Sequence, residues 1–236
     1  MVTLDDKDLP ILNPNTYVKE TAMALWYGMP RVLLAGFLFS LVSMPALILG
    51  LAMGFVIPGI LLGAVTLGPG WLAMCAVIAR SILREPDQTV WDFFRDFGHF
   101  FLRGVALGGL FSLPLVAGVG TAPLLGLDPV PTVAWVGLYA DMVVLLFVAA
   151  LNIYVCPQIV MHDVGVRLAM RNGLLMEVRH LGNTVGLISL AVLLVFLASK
   201  VSLLLLVIFP AFWLVFVINN FRLVLRLESG RPDGGI

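Results

Sequence analysis

Residues 31–80 read RVLLAGFLFSLVSMPALILGLAMGFVIPGILLGAVTLGPGWLAMCAVIAR, and the 48 positions between the two arginines carry no charge. A helix needs roughly 20 apolar residues to cross the hydrocarbon core of a bilayer. The stretch is too long for one crossing and right for two, with the break expected near Pro58-Gly59 or slightly later. Working outward, Gly104 to Leu127 is again free of charge, Val133 to Val160 is interrupted only by Asp141, and Thr184 to Asn219 only by Lys200. The last of these, as one helix, would measure about 54 Å, so it must turn back near Ser199–Ser202. Six spans result. The fold class expected is an all-α, polytopic membrane bundle forming one integral membrane domain over residues 1–236.

Composition agrees. Of 236 residues 61% are hydrophobic and 12% charged, and the mean hydropathy is +1.05. A soluble domain holds roughly 45–50% apolar and about 25% charged residues, and its surface needs polar cover that this chain lacks. Lipid is therefore its main expected partner. The net charge of zero gives no electrostatic reason to expect a nucleic-acid partner. Cys75 and Cys156 both lie in apolar stretches and read as packing residues rather than a disulfide or metal pair. The N-terminal MVTLDDKDLPILNP lacks the basic start and long apolar core of a cleaved signal peptide, so the first span is expected to stay in the mature chain.

Lysine and arginine placement orients the spans. With the N-terminus inside, thirteen of the fourteen basic residues fall in cytoplasmic segments and only Lys200 falls outside. A multi-pass protein of the cell membrane with both termini cytoplasmic is expected.

The charged segments carry a pattern of their own. In Thr89–Arg103 (TVWDFFRDFGHFFLR) polar residues recur at Asp92, Arg95/Asp96, His99 and Arg103, with aromatic rings filling most other positions. Spacing of three and four is helical, Thr89 with Asp92 resembles a capping pair, and such a helix is expected to lie in the membrane interface, charges toward water. Trp91, Phe94, Arg95, Phe97 and His99 form its candidate interfacial or docking face, His99 reading as a solvated surface histidine. Asp163–His180 is a weaker second example, and Asn13–Met29, with Asn13 capping and Pro14 at the first helical position, a third. Each precedes a basic residue and a pair of spans. Arg31, Gly36, Leu38, Phe39, Ser40 and Leu41 match Arg103, Gly108, Leu110, Phe111, Ser112 and Leu113 at an offset of 72. Three units of interfacial helix plus hairpin are expected, over approximately 13–82, 89–161 and 163–225. A six-helix chain with basic inner loops would show some of the same recurrence without any repeat.

From Thr66 to Phe101 the chain resembles the YesL-like family of uncharacterised bacterial membrane proteins. The resemblance rests on Thr66-Leu67-Gly68-Pro69-Gly70 opening the second helix, Ala73, the basic exit Arg80…Arg84-Glu85, and Asp92-Phe93-Phe94-Arg95-Asp96-Phe97; Leu168–Leu175 before the last hairpin also looks like it. It implies membrane proteins often encoded near carbohydrate-uptake systems, and it carries over no catalytic residue.

No catalytic, cofactor or metal signature is present. Gly68-Pro69-Gly70 and Gly118–Gly120 lack the Lys-Ser/Thr of a phosphate loop, and His99, His162 and His180 have no paired-ligand spacing. The few polar groups at membrane depth stand out instead. Asp141 either pairs with Lys200, or lines a cavity with it and Asn152, or merely sits at the outer interface. Asn152, Tyr154, Asn219 and Asn220 suit hydrogen bonds between helices. Two functions follow as expectations: a transport-related protein linked to carbohydrate uptake, or a non-catalytic docking subunit for a transporter or signalling partner. An enzyme is disfavoured for want of an acid/base pair or nucleophile.

Overall fold

The computed structural model describes residues 17–83, 90–201 and 204–229. These form eight helices: α1 (Tyr17–Leu47), α2 (Val56–Ile82), α3 (Val90–His99), α4 (Phe101–Thr121), α5 (Thr132–His162), α6 (Val166–Arg179), α7 (Leu181–Val201) and α8 (Leu204–Ser229). No strand occurs among the described residues. Six helices, all but the short α3 and α6, are long and apolar enough to cross a bilayer. The chain is an integral membrane protein whose spans face lipid.

The first hairpin turns earlier than the sequence suggested. α1 runs into a π-helical turn at Ile48–Ala52, and the chain reverses at Met53–Phe55, where Gly54 takes a positive φ of 75° that costs glycine little. Pro58 and Gly59 lie in the first turn of α2, where the missing proline N–H has no helical partner to lose. Gly68-Pro69-Gly70, expected to open the second helix, lies in its middle instead. The reason is a neighbour: α2 crosses α4 backbone to backbone. A Cβ on Gly68 would stand 2.0 Å from the Gly104 carbonyl oxygen, and one on Gly108 would stand 2.1 Å from the Ala64 oxygen. Small residues that let backbones touch are the usual seam between helices in lipid, where no hydrophobic drive holds helices together.

α4 ends in a 3₁₀ turn at Ala122–Gly126, close to the expected end of the third span. α7 closes at Val201 and α8 opens at Leu204; of the turn expected near Ser199–Ser202, Ser202 lies outside the described residues. The short helices α3 and α6 each stand one residue ahead of a span, broken from it at Phe100 and His180. In the first unit the amphipathic segment and the span are one continuous helix, with Pro30 inside it. Pro30 cannot donate to the Trp26 carbonyl, which marks the junction of the two parts. Asn13, Pro14 and Thr89, read as helix-start residues, lie outside the described residues.

α2, α5 and α8, the second span of each hairpin, meet at the centre. Their buried residues are Leu72–Ala79, Ala150–Ile159 and Ala211–Val224 in the main, all toward the ends that close the hairpins' open side. Phe39, Trp71 and Trp213 meet in sequence across α1, α2 and α8, the first pair edge-to-face and the second tilted, at centroid distances of 5.7 and 6.0 Å. α4 and α7 lie outside this core and are largely lipid-facing. α5 shows the polarity of the bundle: Val133, Val136, Tyr139 and Val143 are exposed, whereas Ile153, Tyr154, Val155 and Cys156 are buried.

Candidate functional site

Arginines gather where the core is tightest, and acids from other elements meet them there. Arg80 at the end of α2 pairs with Asp96 of α3, and Arg103 at the start of α4 pairs with Asp163, which follows α5. Arg179 and His180 both approach Glu228 near the end of α8, at 3.4 Å. Tyr17 Oη donates to the Phe216 carbonyl at 2.9 Å, and Asn219 Nδ2 donates to Thr21 Oγ1 at 3.3 Å, tying α1 to α8. These contacts define one basic end of the bundle. Lys200, by contrast, lies at the far end of α7.

The Arg103 hydrogen bond holds the Asp163 carboxyl below its ordinary value. Asp163 takes a left-handed φ of 51° as it ends α5, a conformation an aspartate tolerates better than most side chains. In α6, burial pushes Glu177 above its ordinary value, and its Oε2 finds no hydrogen-bond partner among the described residues.

α3 rides on this end as an amphipathic helix, but its faces divide differently from the sequence pattern. Asp96 was placed with Arg95 on the water-facing stripe; it is buried, beside Phe93 and Phe100. The cause is Arg80, whose guanidinium at the edge of the apolar span needs an anion, and Asp96 turns inward to supply one. Trp91 is 79% exposed, and Phe94, Arg95 and His99 are exposed with it. Phe97 is half-buried and meets the Phe101 ring at a tilt, with centroids 5.9 Å apart. Arg95 is held by Asp92 one turn away, at 2.8 Å. α6 adds exposed Arg167 and Arg171 with Leu168, Leu174 and Leu175.

The membrane-depth polar residues do not form one constellation. Asn152 is buried, donating Nδ2 to the Val148 carbonyl at 2.8 Å and accepting from the Cys156 thiol at 3.1 Å. It borders an apolar cavity of about 540 Å³ between α1, α2, α4, α5 and α8, which neither Asp141 nor Lys200 lines. Asp141 faces α4 near Gly118, and its Oδ2 is buried with no hydrogen-bond partner among the described residues. No ion pair joins it to Lys200, whose exposed ammonium lies over the Phe196 ring at 5.8 Å. Tyr154 accepts from Thr184 at 3.3 Å, a link from α5 to α7. Among the described residues no three of His, Cys, Asp and Glu converge as a metal site requires.

One feature escaped the sequence reading. A cavity of about 880 Å³ with a mixed wall opens at the basic end between α1, α2 and α8, lined by Glu20, Tyr27, Arg31, Ser81, Asn219 and Arg222 beside apolar Met23 and Ile82. Its residues are scattered over three helices, and only the spacing Glu20, Ala24, Gly28, Arg31 along one face of α1 hints at it.

Comparison with known proteins finds no matching family model, no matching curated protein and no matching solved structure.

Proposed function

From a six-span bundle with a packed basic end, we propose a non-catalytic interaction subunit of the cell membrane, oriented with that end and both termini in the cytoplasm. The orientation rests on the segregation of lysine and arginine. The docking role rests on one observation. α3 buries Phe93 and Asp96 and turns Trp91, Phe94, Arg95 and His99 outward from a helix fixed in place. Aromatic residues and arginine on a rigid support are the side chains that dominate protein–protein interfaces. The intramembrane polar groups offer less to a carrier, since Asn152 is engaged within its own helix and Asp141 and Lys200 do not meet.

The partner proposed is a membrane transporter subunit, with the YesL-like resemblance and its carbohydrate-uptake company as the reason. A photo-crosslinking residue placed at Trp91, Phe94 or His99 in the native membrane tests this. Adducts to one protein from these positions, absent from lipid-facing Val192 or Phe196, are expected. Lipid adducts alone from α3 would overturn the docking reading.

A further inference from the structure

α6 carries two exposed cations that no acid among the described residues answers. The helix is mounted on α5. Ala169, Gly173, Met176 and Glu177 are its buried positions, a Cβ on Gly173 would stand 2.7 Å from the Val155 side chain, and Gln158 Nε2 lies 3.4 Å from Met176 Sδ. At about 100° per residue, Arg167, Val178, Arg171, Leu175 and Leu168 follow one another around the opposite side, all of them exposed. Glu177, the one acidic residue of the helix, is on the buried side. The acids that flank α6 are engaged elsewhere, Asp163 by Arg103 and Glu228 by Arg179 and His180.

Local structure gives no reason for Arg167 and Arg171. They stand one turn apart, where like charges repel, in and beside the first turn of the helix, whose dipole disfavours cations. A complement outside the chain supplies the reason, and position says what it is. α6 is joined to α5 through residues 163–165 and to α7 through His180 alone, and both neighbours are spans. A helix of 14 residues, about 21 Å long and held so at both ends, stays at the bilayer interface. There arginine stems lie along apolar surface while their guanidiniums reach phosphate oxygens, and exposed Leu168, Leu174 and Leu175 suit acyl chains.

The contrast with α3 lies in side-chain type. α3 turns aromatic rings outward and pairs Arg95 with Asp92, whereas α6 has no aromatic residue. Leucine and valine are under-represented among the residues that dominate protein interfaces, and interfacial basic residues are drawn to anionic lipid. We propose that the exposed face of α6 binds anionic phospholipid, with Arg167 and Arg171 on the headgroup phosphates and Leu168, Leu174 and Leu175 among the acyl chains. This surface is separate from the α3 docking face, and either can stand without the other.

The full-length protein in a neutral detergent is titrated with phosphatidylglycerol or, separately, with phosphatidylcholine, and native mass spectrometry reads the Kd of the first bound lipid. The parent should bind phosphatidylglycerol more tightly. A basic residue at an anionic surface is worth about fivefold in association, so Arg171→Gln should weaken phosphatidylglycerol about fivefold and Arg167→Gln/Arg171→Gln roughly thirtyfold, with phosphatidylcholine unchanged. Both positions are exposed, so glutamine disturbs no packing, and Arg171→Gln alone carries the test if the double variant misfolds. Arg167→Lys/Arg171→Lys keeps the charges and should keep most of the preference, which separates a lost contact from a lost fold. Arg95→Gln removes the same charge from the same end of the bundle and should leave the preference intact. Equal affinity for the two lipids in the parent, a preference that survives Arg167→Gln/Arg171→Gln, or equal losses in Arg95→Gln and Arg171→Gln would each overturn the proposal.

Discussion

Replacing Gly108 with alanine tests the contact that holds the first two hairpins together. The added Cβ would stand 2.1 Å from the Ala64 oxygen and 2.9 Å from its Cα and carbonyl carbon, where ordinary contact begins at 3.4 Å. Those atoms are backbone, so no side chain can rotate away. The helices must part by about 1.3 Å at the crossing, the gap between 2.1 and 3.4 Å. A gap of about 0.5–1 Å already forfeits a quarter to a half of a dispersion contact, and α2 with α4 is the most extensive helix pair in the bundle. Overpacking of this kind costs about 1–3 kcal/mol; parting a whole seam places Gly108→Ala near the upper end. Gly109 is the internal control: a Cβ there meets nothing within 4 Å, and exchanging a helical glycine for alanine stabilises by up to about 1 kcal/mol. Neighbouring glycines should thus move stability in opposite directions. Cys75 and Cys156 are fully buried, so a thiol-reactive dye reads the population of opened protein. A loss of about 2–3 kcal/mol speeds labelling roughly thirty- to 150-fold for Gly108→Ala, whereas Gly109→Ala labels no faster than the parent. Equal labelling rates for the two variants would refute the backbone-contact reasoning.

Other substitutions separate the polar groups. Glu177→Gln should raise the unfolding temperature at neutral pH. Burial raises the carboxyl above its ordinary value, so the ionised form destabilises the folded state at high pH; the penalty fades as pH falls through the folded value, and the variant's advantage should fade with it. Asp163 carries the opposite sign: its carboxyl is held low by Arg103, so the pair's stabilisation is present above about pH 4 and is lost as pH falls through the lower folded value. Acid unfolding of Arg103→Gln should accordingly show a shallower pH dependence than the parent between pH 5 and 2. For Arg80 and Asp96, a double-mutant cycle with alanine should show each single change costing more than half of the double change, because either alone strands a partly buried charge; additive losses would remove the pair from the account. Asp141→Asn should leave the fold intact and raise its thermal stability, since one carboxylate oxygen is buried without a partner; a lowered unfolding temperature would show that the carboxylate is needed.

The spans could be read from the sequence because lipid imposes one dominant constraint, length of apolar helix, which local composition reports directly. The turn between the first two spans was less legible. Gly50, Gly54, Pro58-Gly59, Gly63 and Gly68-Pro69-Gly70 all punctuate one apolar run, and composition does not say which one the chain bends at. Only Gly54 takes a positive φ; Gly68 is kept small for α4 rather than for a turn, and that contact spans dozens of residues of sequence. Asp96 was misplaced for the same reason. A helical wheel sees Arg95 beside it, but not Arg80 on another helix. Asp141 and Lys200 share the half of the molecule away from the basic end, yet their helices α5 and α7 barely touch, and the rotation of a span about its own axis is set by packing that no charge count reveals.

These departures share a direction. Every cross-element ion pair described lies at the basic end, as do both short helices and the cavity of about 880 Å³, whereas the opposite half of α5 and most of α7 face lipid with little protein against them. A carrier that moved a polar solute would need polar groups distributed along its depth and two gates of comparable strength. Here one end is braced by arginine–carboxylate pairs and the other is loosely packed. Such a body is suited to holding a surface feature still at one membrane face: a helix with outward aromatics.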